Sequence, residues 1–159
     1  MKKWNNRPDE IKYLLNPAFC GLLIYIVMEE YIKKTKSSFP FLLSYLILPL
    51  LLPDNVRYRI NRTKYFSRWV QLSSSQLISF SRMAKALVPF TNEAIEFLLQ
   101  SGSINLTQNG SFNVCSKALR KSTNNSELKD FIKKARQIGR WFSETNDVAS
   151  IYICLGVRP

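Results

Sequence analysis

Side chains that commonly carry out catalysis are scarce in this chain. None of its 159 residues is histidine, so the commonest general base and the commonest metal ligand are both missing. The adjacent acids Glu29 and Glu30 lie near the end of a long apolar segment that predicts a helix. Neighbouring helical residues point about 100° apart, so these two carboxylates do not converge on one site. The pair indicates a solvated helix end rather than an acid and a base that work together.

The three cysteines, Cys20, Cys115 and Cys154, have the spacing of neither a metal site nor a disulfide framework. Each lies in an apolar run, so we expect buried thiols in a reducing cytoplasm. Cys20 would need an activating base to act as a nucleophile, and no histidine is available for that. The glycine patterns that hold phosphates and dinucleotides are absent too. The sequence therefore predicts a protein that is not an enzyme and that uses neither a cofactor nor a metal.

Binding to polyanions is the chemistry that the composition favours. Lys and Arg total 23 against 11 Asp and Glu, a formal net charge of +12, and such a surface attracts nucleic acid, anionic membranes or acidic proteins. No acid occurs between Asn55 and Asn92. The alternative is a solvated, solubilising face. The nucleic-acid-binding candidates are Arg57, Arg59, Arg62, Lys64, Arg68, Arg82 and Lys85, with Gln108 and Asn109 at the tip of an expected hairpin.

The N-terminal region is expected to be helical. Asn16 and Pro17 suit the N-cap and the first position of a helix that continues through a long apolar segment. This helix is apolar on nearly all sides, so it is either buried on several sides or docked on a partner. The elements expected after it are a helix over 39–48 ended by Pro49, a loop or irregular strand over 54–61, and a helix over 64–72 capped by Thr63.

The central segment, residues 76–115, predicts helix, turn, helix and a two-stranded hairpin. Its apolar residues recur every 3.6 positions up to Pro89, which should end the first helix, and Thr91 suits the N-cap of the second. Gly102 suits the left-handed position after that helix, and alternating apolar residues around Asn109-Gly110 predict the hairpin. This order is typical of a winged helix. The alternative is any small mixed core with a hairpin.

Two glutamates argue against sequence-specific reading of DNA by this segment. Glu93 and Glu96 belong to the second expected helix, where their carboxylates would repel the DNA phosphates. Contact with the DNA backbone is therefore favoured over contact with base edges.

The C-terminal region predicts a loop followed by two helices. Ser126 suits the cap of a helix that reaches about Glu144, and residues 147–155 favour a helix over a strand. The fold class is therefore mainly α with a small β-hairpin, in a single domain over 1–159. Its sub-parts are a helical N-terminal region over 1–72, a winged-helix-like segment over 75–116 and a C-terminal helical region over 117–159.

No segment predicts a signal peptide or a membrane span. The first ten residues, MKKWNNRPDE, have no apolar run behind their charges. The apolar runs at 18–28 and 39–52 are too short, or too interrupted by proline, for the about 20 residues that a span needs. We expect a cytoplasmic protein without membrane contact.

Three motifs in this order resemble a known family. They are Asn16-Pro17-Ala18-Phe19, LVPFTNEAIEFLLQSG from Leu87 to Gly102, and RQIGRWFSE from Arg136 to Glu144 with the terminal Leu155-Gly156-Val157-Arg158-Pro159. From about Ile11 to Pro159 the chain resembles the middle component of bacterial three-component ABC ATPase systems. Within these it looks like the small subunit of Lamassu-type anti-phage defence, the LmuC-like proteins.

The resemblance implies a non-catalytic adaptor subunit in defence against phage or plasmids. Its partners would be an ABC ATPase of the structural-maintenance-of-chromosomes type, with Rad50-like heads, and an effector, often a nuclease. The adaptor would bridge the two in a hetero-oligomer that also touches DNA. The partner-interface candidates within the motifs are Asn16, Pro17, Phe19, Arg140, Trp141, Val157, Arg158 and Pro159.

The runner-up function is a stand-alone winged-helix regulator of transcription. Such a regulator predicts a polar, self-sufficient N-terminal region and a basic recognition helix. The apolar first helix and the glutamates Glu93 and Glu96 argue against both.

Overall fold

A computed structural model describes residues 14–115, 123–145 and 147–158. Within these ranges the chain forms eight α-helices and three short strands. The helices are α1 Pro17–Thr35, α2 Ser44–Leu51, α3 Asp54–Arg57, α4 Phe66–Leu72, α5 Ser74–Leu77, α6 Phe80–Gln100, α7 Ser126–Thr145 and α8 Val148–Cys154. The strands are β1 Phe39–Pro40, β2 Ile104–Leu106 and β3 Ser111–Val114, and 3-10 turns cover Phe41–Leu43 and Ile60–Arg62. The predicted class, mainly α with a small antiparallel sheet, is confirmed.

Helix α1 is the centre of the core. Asn16 caps it, because its Oδ1 accepts a hydrogen bond from the backbone N–H of Ala18 at 2.8 Å, and Pro17 opens the first turn as predicted. Helices α6 and α7 pack along α1, and α2 and β3 also contact it. Its fully buried side chains include Cys20, Leu23, Ile24, Ile26, Val27 and Met28. The apolar surface of α1 is thus covered within the chain, so it needs no partner to bury it.

The contact between α1 and α7 is closest at Gly139. A Cβ at this position would lie 2.8 Å from the backbone oxygen of Val27 and 2.8 Å from the Cβ of Glu30. The next residue, Arg140, pairs with Glu30 at the edge of the contact, Nε to Oε1 at 3.1 Å. Glycine therefore allows the two helix backbones to come together where any side chain would separate them.

The sheet has one more strand than the sequence predicted. Residues 104–106 and 111–114 form the expected hairpin, in which Ile104 pairs with Val114. Phe39 pairs with Phe112 on the other side of β3, so the strand order is β1-β3-β2. The expected start of a helix at Phe39 is wrong. Burial of Phe39 beside Phe112 holds the backbone extended there, and the following proline is tolerated because β1 is an edge strand.

Two prolines lie inside helices that they were expected to end. Pro49 falls within α2 and Pro89 within α6, which continues unbroken for 21 residues. The expected helix–turn–helix over 76–102 is therefore wrong, and Thr91 is buried in the middle of α6 instead of capping a second helix. A proline inside a helix costs about 3 kcal/mol. Here the cost is offset by apolar residues buried on both sides of each proline, among them Leu48, Leu50, Leu87 and Ala94.

Local turn signals were predicted more accurately. Gly102 has φ +67 and ends α6 with hydrogen bonds from Ser103 N to the Leu98 oxygen at 3.0 Å and from Gly102 N to the Leu99 oxygen at 3.1 Å. Gly110 has φ +70 in the hairpin turn. Both glycines adopt a conformation that other residues rarely take, so both predictions are confirmed.

The shorter elements differ from the prediction at their starts. Residues 54–61 contain α3 and the start of a 3-10 turn instead of a loop or strand. Helix α4 begins at Phe66, and Thr63 does not cap it. Asn125 caps α7 in place of Ser126, because its Oδ1 accepts a hydrogen bond from Leu128 N at 3.0 Å. The helix favoured over 147–155 is confirmed as α8, with Asp147 as its cap.

Aromatic packing holds residues 54–77 against α7. Trp141 of α7 is fully buried, and its Nε1 donates to the backbone oxygen of Lys64 at 2.8 Å. Its ring lies 5.4 Å from that of Trp69 and 5.8 Å from that of Phe66. The segment between α2 and α6 is therefore anchored on the last long helix.

We expect Gly139→Ala to lower the free energy of unfolding by about 1–3 kcal/mol, because the new methyl group overlaps the α1 backbone. Alanine normally stabilises a helix relative to glycine by about 1 kcal/mol, so a loss of stability in this variant would point to the steric overlap. Urea denaturation measures the change. Gly21→Ala is the matched control, since its Cβ would meet only side chains, the nearest at 3.2 Å. Equal stability of the two variants would contradict the close contact.

Candidate functional site

The buried thiol and the acids do not assemble into a reactive centre in the part of the chain that the structure describes. No group of three or more His, Cys, Asp or Glu side chains is placed there to hold a metal. Burial, together with the nearby charge of Glu93, raises the pKa of Cys20 to about 12, so the thiol is protonated at neutral pH. A protonated thiol is a poor nucleophile and a poor metal ligand.

Arg57, the first of the predicted phosphate contacts, has a structural role instead. Its guanidinium donates to the backbone oxygens of Leu51 and Leu52 at 2.8 and 3.0 Å, which are unsatisfied at the end of α2. It also pairs with Asp54 and lies 4.1 Å above the ring of Phe131. These contacts turn the cation inward, so it is poorly placed to meet a phosphate.

The rest of the predicted basic run divides into bound and exposed side chains. Arg59 donates to the backbone oxygen of Leu72, and Lys64 lies 5.4 Å above the ring of Tyr65. The side chain of Arg62 lies outside the described part of the structure. The five remaining candidates and Lys64 are exposed: Lys64, Arg68, Arg82, Lys85 and, at the hairpin tip, Gln108 with Asn109.

A row of cations on α7 was missed as a candidate surface. Lys129, Lys133, Arg136 and Arg140 are all exposed. Their spacing of four, three and four residues places them within about 60° of one another around the helix, over about 17 Å of its length. Arg140 is paired with Glu30, which leaves three cations pointing to solvent without an acidic partner among the described residues. The spacing in the sequence contained this signal.

The partner-interface candidates at the start of α1 and on α7 have mostly structural contacts. Asn16 and Pro17 form the helix cap, and the ring of Phe19 packs edge-on against Phe131 with centroids 5.2 Å apart. Arg140 is paired with Glu30 across the α1–α7 contact. Trp141 is 0% exposed, so its indole is part of the core and presents no surface to a partner in this structure.

The C-terminal tail folds back onto the chain. Gly156 has φ +68, and hydrogen bonds from Gly156 N to the Ile153 oxygen and from Val157 N to the Tyr152 oxygen, both 3.0 Å, close the end of α8. Val157 packs against the core while Arg158 is exposed. Pro159 lies outside the described residues. The tail is therefore ordered through Arg158, and its cation is presented at the surface.

An apolar groove lies between this tail, α2 and the first half of α6. Its volume is about 560 Å³. The described residues that line it are Leu42, Tyr45, Leu46, Ser81, Ala84, Lys85, Val88, Tyr152, Gly156, Val157 and Arg158. The groove brings together two residues predicted for different roles, Lys85 as a phosphate contact and Arg158 as a partner contact. No sequence pattern indicates their proximity, because Lys85 and Arg158 are 73 residues apart.

Among the helices that the structure describes, none is long and apolar enough to cross a membrane.

The fold and these surfaces define a class: a mainly helical protein with a three-stranded antiparallel sheet, built around one buried helix, with an apolar groove and rows of exposed cations. Residues 4–159 match the family model of the ABC-three component (ABC-3C) system Middle Component 3. The chain belongs to this family, and it is a middle component of a multi-component ABC system that includes partner proteins. No curated protein and no solved structure is significantly similar to it.

We expect Arg57→Ala to destabilise the fold by about 1–3 kcal/mol, because two carbonyls at the end of α2 lose their charged donor. Arg68→Ala, an exposed cation of the same run, should change stability by less than about 0.5 kcal/mol. Chemical denaturation of both variants measures the difference. If Arg57→Ala were as stable as the wild type, the structural role given to this guanidinium would be wrong.

Proposed function

We propose that the chain is a non-catalytic adaptor subunit that joins the ABC ATPase of its three-component system to an effector protein. The observation that carries the proposal is the surface: the described residues offer an apolar groove and exposed cations, both suited to binding, without a cluster of groups suited to chemistry. Membership of a middle-component family supports a place in an assembly.

A winged-helix-like arrangement supports this role. The order α1, β1, α2, α6, β2, β3 with strand order β1-β3-β2 is compatible with a winged helix in which residues 54–77 are inserted before the third helix. In this arrangement the helices before the wing are α2 and α6, not the two halves of 76–102. Winged helices bind both proteins and nucleic acid, which suits an adaptor.

Contact with DNA, in this proposal, is made to the backbone and without sequence specificity. The exposed row Lys129, Lys133 and Arg136 provides the charge, since a straight row of cations about 10 Å long can follow phosphates along a duplex. Helix α6, which would be the reading helix, exposes Asn92 and Glu96 in its second half. A glutamate there disfavours reading base edges in the major groove. The same glutamate weighs against a stand-alone transcription regulator.

The partners that we propose follow the family resemblance. They are an ATPase of the structural-maintenance-of-chromosomes type and an effector, often a nuclease, in a cytoplasmic defence system of the Lamassu kind. The motifs from Asn16 to Phe19 and from Arg136 to Glu144 support this choice of partners.

Reconstitution from the three purified proteins tests the adaptor role. We expect the ATPase and the effector to co-elute in size-exclusion chromatography only when this chain is present, and we expect each to bind this chain alone. An ATPase and effector that assemble equally well without it would contradict the proposal.

The DNA contact has its own prediction. Replacing Lys129, Lys133 and Arg136 together by Glu should weaken binding of the complex to duplexes of unrelated sequence. The slope of log binding constant against log salt concentration should become less negative by about 2 to 3. Fluorescence anisotropy over a salt series measures both. The matched control replaces Lys64, Arg68 and Arg82 by Glu, the same change of charge on exposed residues elsewhere. If only this second variant lost affinity, the contact would lie on the 57–85 run and not on α7.

A further inference from the structure

We infer that the groove between α2, α6 and the C-terminal tail is the docking site for an acidic, amphipathic helical segment of a partner subunit. The inference rests on the proposed adaptor function and names the surface and the chemistry through which it acts. Three observations carry it: the groove is preformed, its lining is apolar, and its charged residues are all cations.

Hydrogen bonds between separate elements hold the groove open. The hydroxyl of Tyr152 on α8 donates to the backbone oxygen of Leu42 at 2.6 Å, and burial raises the pKa of this hydroxyl to about 12. The hydroxyl of Tyr45 on α2 donates to Asn92 Oδ1 on α6 at 2.8 Å. The closed end of α8 fixes Val157 as the third wall. A partner would therefore meet a rigid surface, and little ordering entropy would oppose binding.

The lining matches the apolar face of a helix. Leu42, Leu46, Ala84, Val88 and Val157 supply its apolar side chains, and the volume of about 560 Å³ accommodates several side chains rather than one. A helix bound in such a groove inserts residues spaced three and four apart. Leu42 is 42% exposed, and cover by a partner would bury it.

The charges at the groove select the sign of the partner. Lys85 and Arg158 line it from opposite elements, both are exposed, and no acid is present in its described lining. Neither cation has an acidic partner among the described residues. Arg82, one turn before Lys85 on α6, adds a third exposed cation near this end of the helix. Carboxylates beside the apolar anchors of the partner would pair with these cations at the rim.

Other occupants fit the groove less well. A second copy of this chain carries a formal charge of +12, so its approach to a cationic rim is opposed by repulsion. Nucleic acid would have to place phosphates against a mostly apolar lining. An acidic amphipathic segment satisfies both the lining and the rim.

Photocrosslinking in the reconstituted three-component complex tests the contact. The photoreactive residue p-benzoylphenylalanine replaces Val88 in the groove or, as a control, the exposed Gln71 of α4. We expect the probe at position 88 to label one partner segment that carries apolar residues three and four apart and Asp or Glu beside them. The probe at position 71 should not label that segment. Labelling of a second copy of the chain, of a segment without acids, or of no protein would overturn the inference.

Charge reversal then tests the rim. Lys85→Glu combined with Arg158→Glu should weaken binding to the labelled partner at least about tenfold, and replacing the partner's acids by lysine should restore it. Lys129→Glu combined with Lys133→Glu is the matched control and should change affinity less than about twofold without DNA. Circular dichroism checks that each variant is folded.

The outcomes separate this inference from the adaptor role. If the wild-type chain joins the ATPase to the effector and the groove variant does so with unchanged affinity, the groove inference is wrong while the adaptor proposal stands. If the wild-type chain binds neither component, the adaptor proposal and the inference that rests on it both fail.

Discussion

Burial of α1 on nearly every side is the constraint on which the rest of the structure depends. A helix of 19 residues with apolar side chains around its axis must be covered along about 29 Å. Helices α6 and α7, of 21 and 20 residues, have the length to do this, and each must remain unbroken to do it. The proline at position 89 is tolerated for this reason: a turn there would end the cover of α1 halfway. Gly139 completes the packing by letting α7 approach the α1 backbone.

This packing leaves only the outer surface of the fold for contacts with other molecules. Many large apolar side chains of the long helices are buried in the core, and exposed cations occupy much of the surface that these helices leave. Arg57 is an exception. Its guanidinium donates to backbone oxygens at the end of α2 and lies over the ring of Phe131, so the cation is turned inward. Net charge therefore overstates the surface available to a polyanion, and each cation has to be judged by the groups around it.

Features that depend on a few neighbouring residues could be predicted from the sequence. The cap at Asn16, the left-handed glycine at 102, the hairpin at Asn109-Gly110 and the helix over 147–155 are local, and all are confirmed. Features that depend on distant partners could not. The strand at Phe39 exists because of Phe112, and the burial of Trp141 depends on Lys64 and Trp69. The groove is the clearest case, because its walls come from three parts of the chain that no spacing pattern connects.

The charge of a surface alone does not identify its partner, because the groups around each cation also matter. The α7 row and the groove rim contain similar numbers of exposed cations, yet their surroundings differ. Lys129, Lys133 and Arg136 form a straight line on one helix, a geometry that matches evenly spaced phosphates and needs no apolar contact. Lys85 and Arg158 flank an apolar lining that phosphates cannot satisfy, whereas an acidic helix with an apolar face can. On this argument the two surfaces suit different anions, so the DNA contact and the protein contact proposed above do not compete for the same residues.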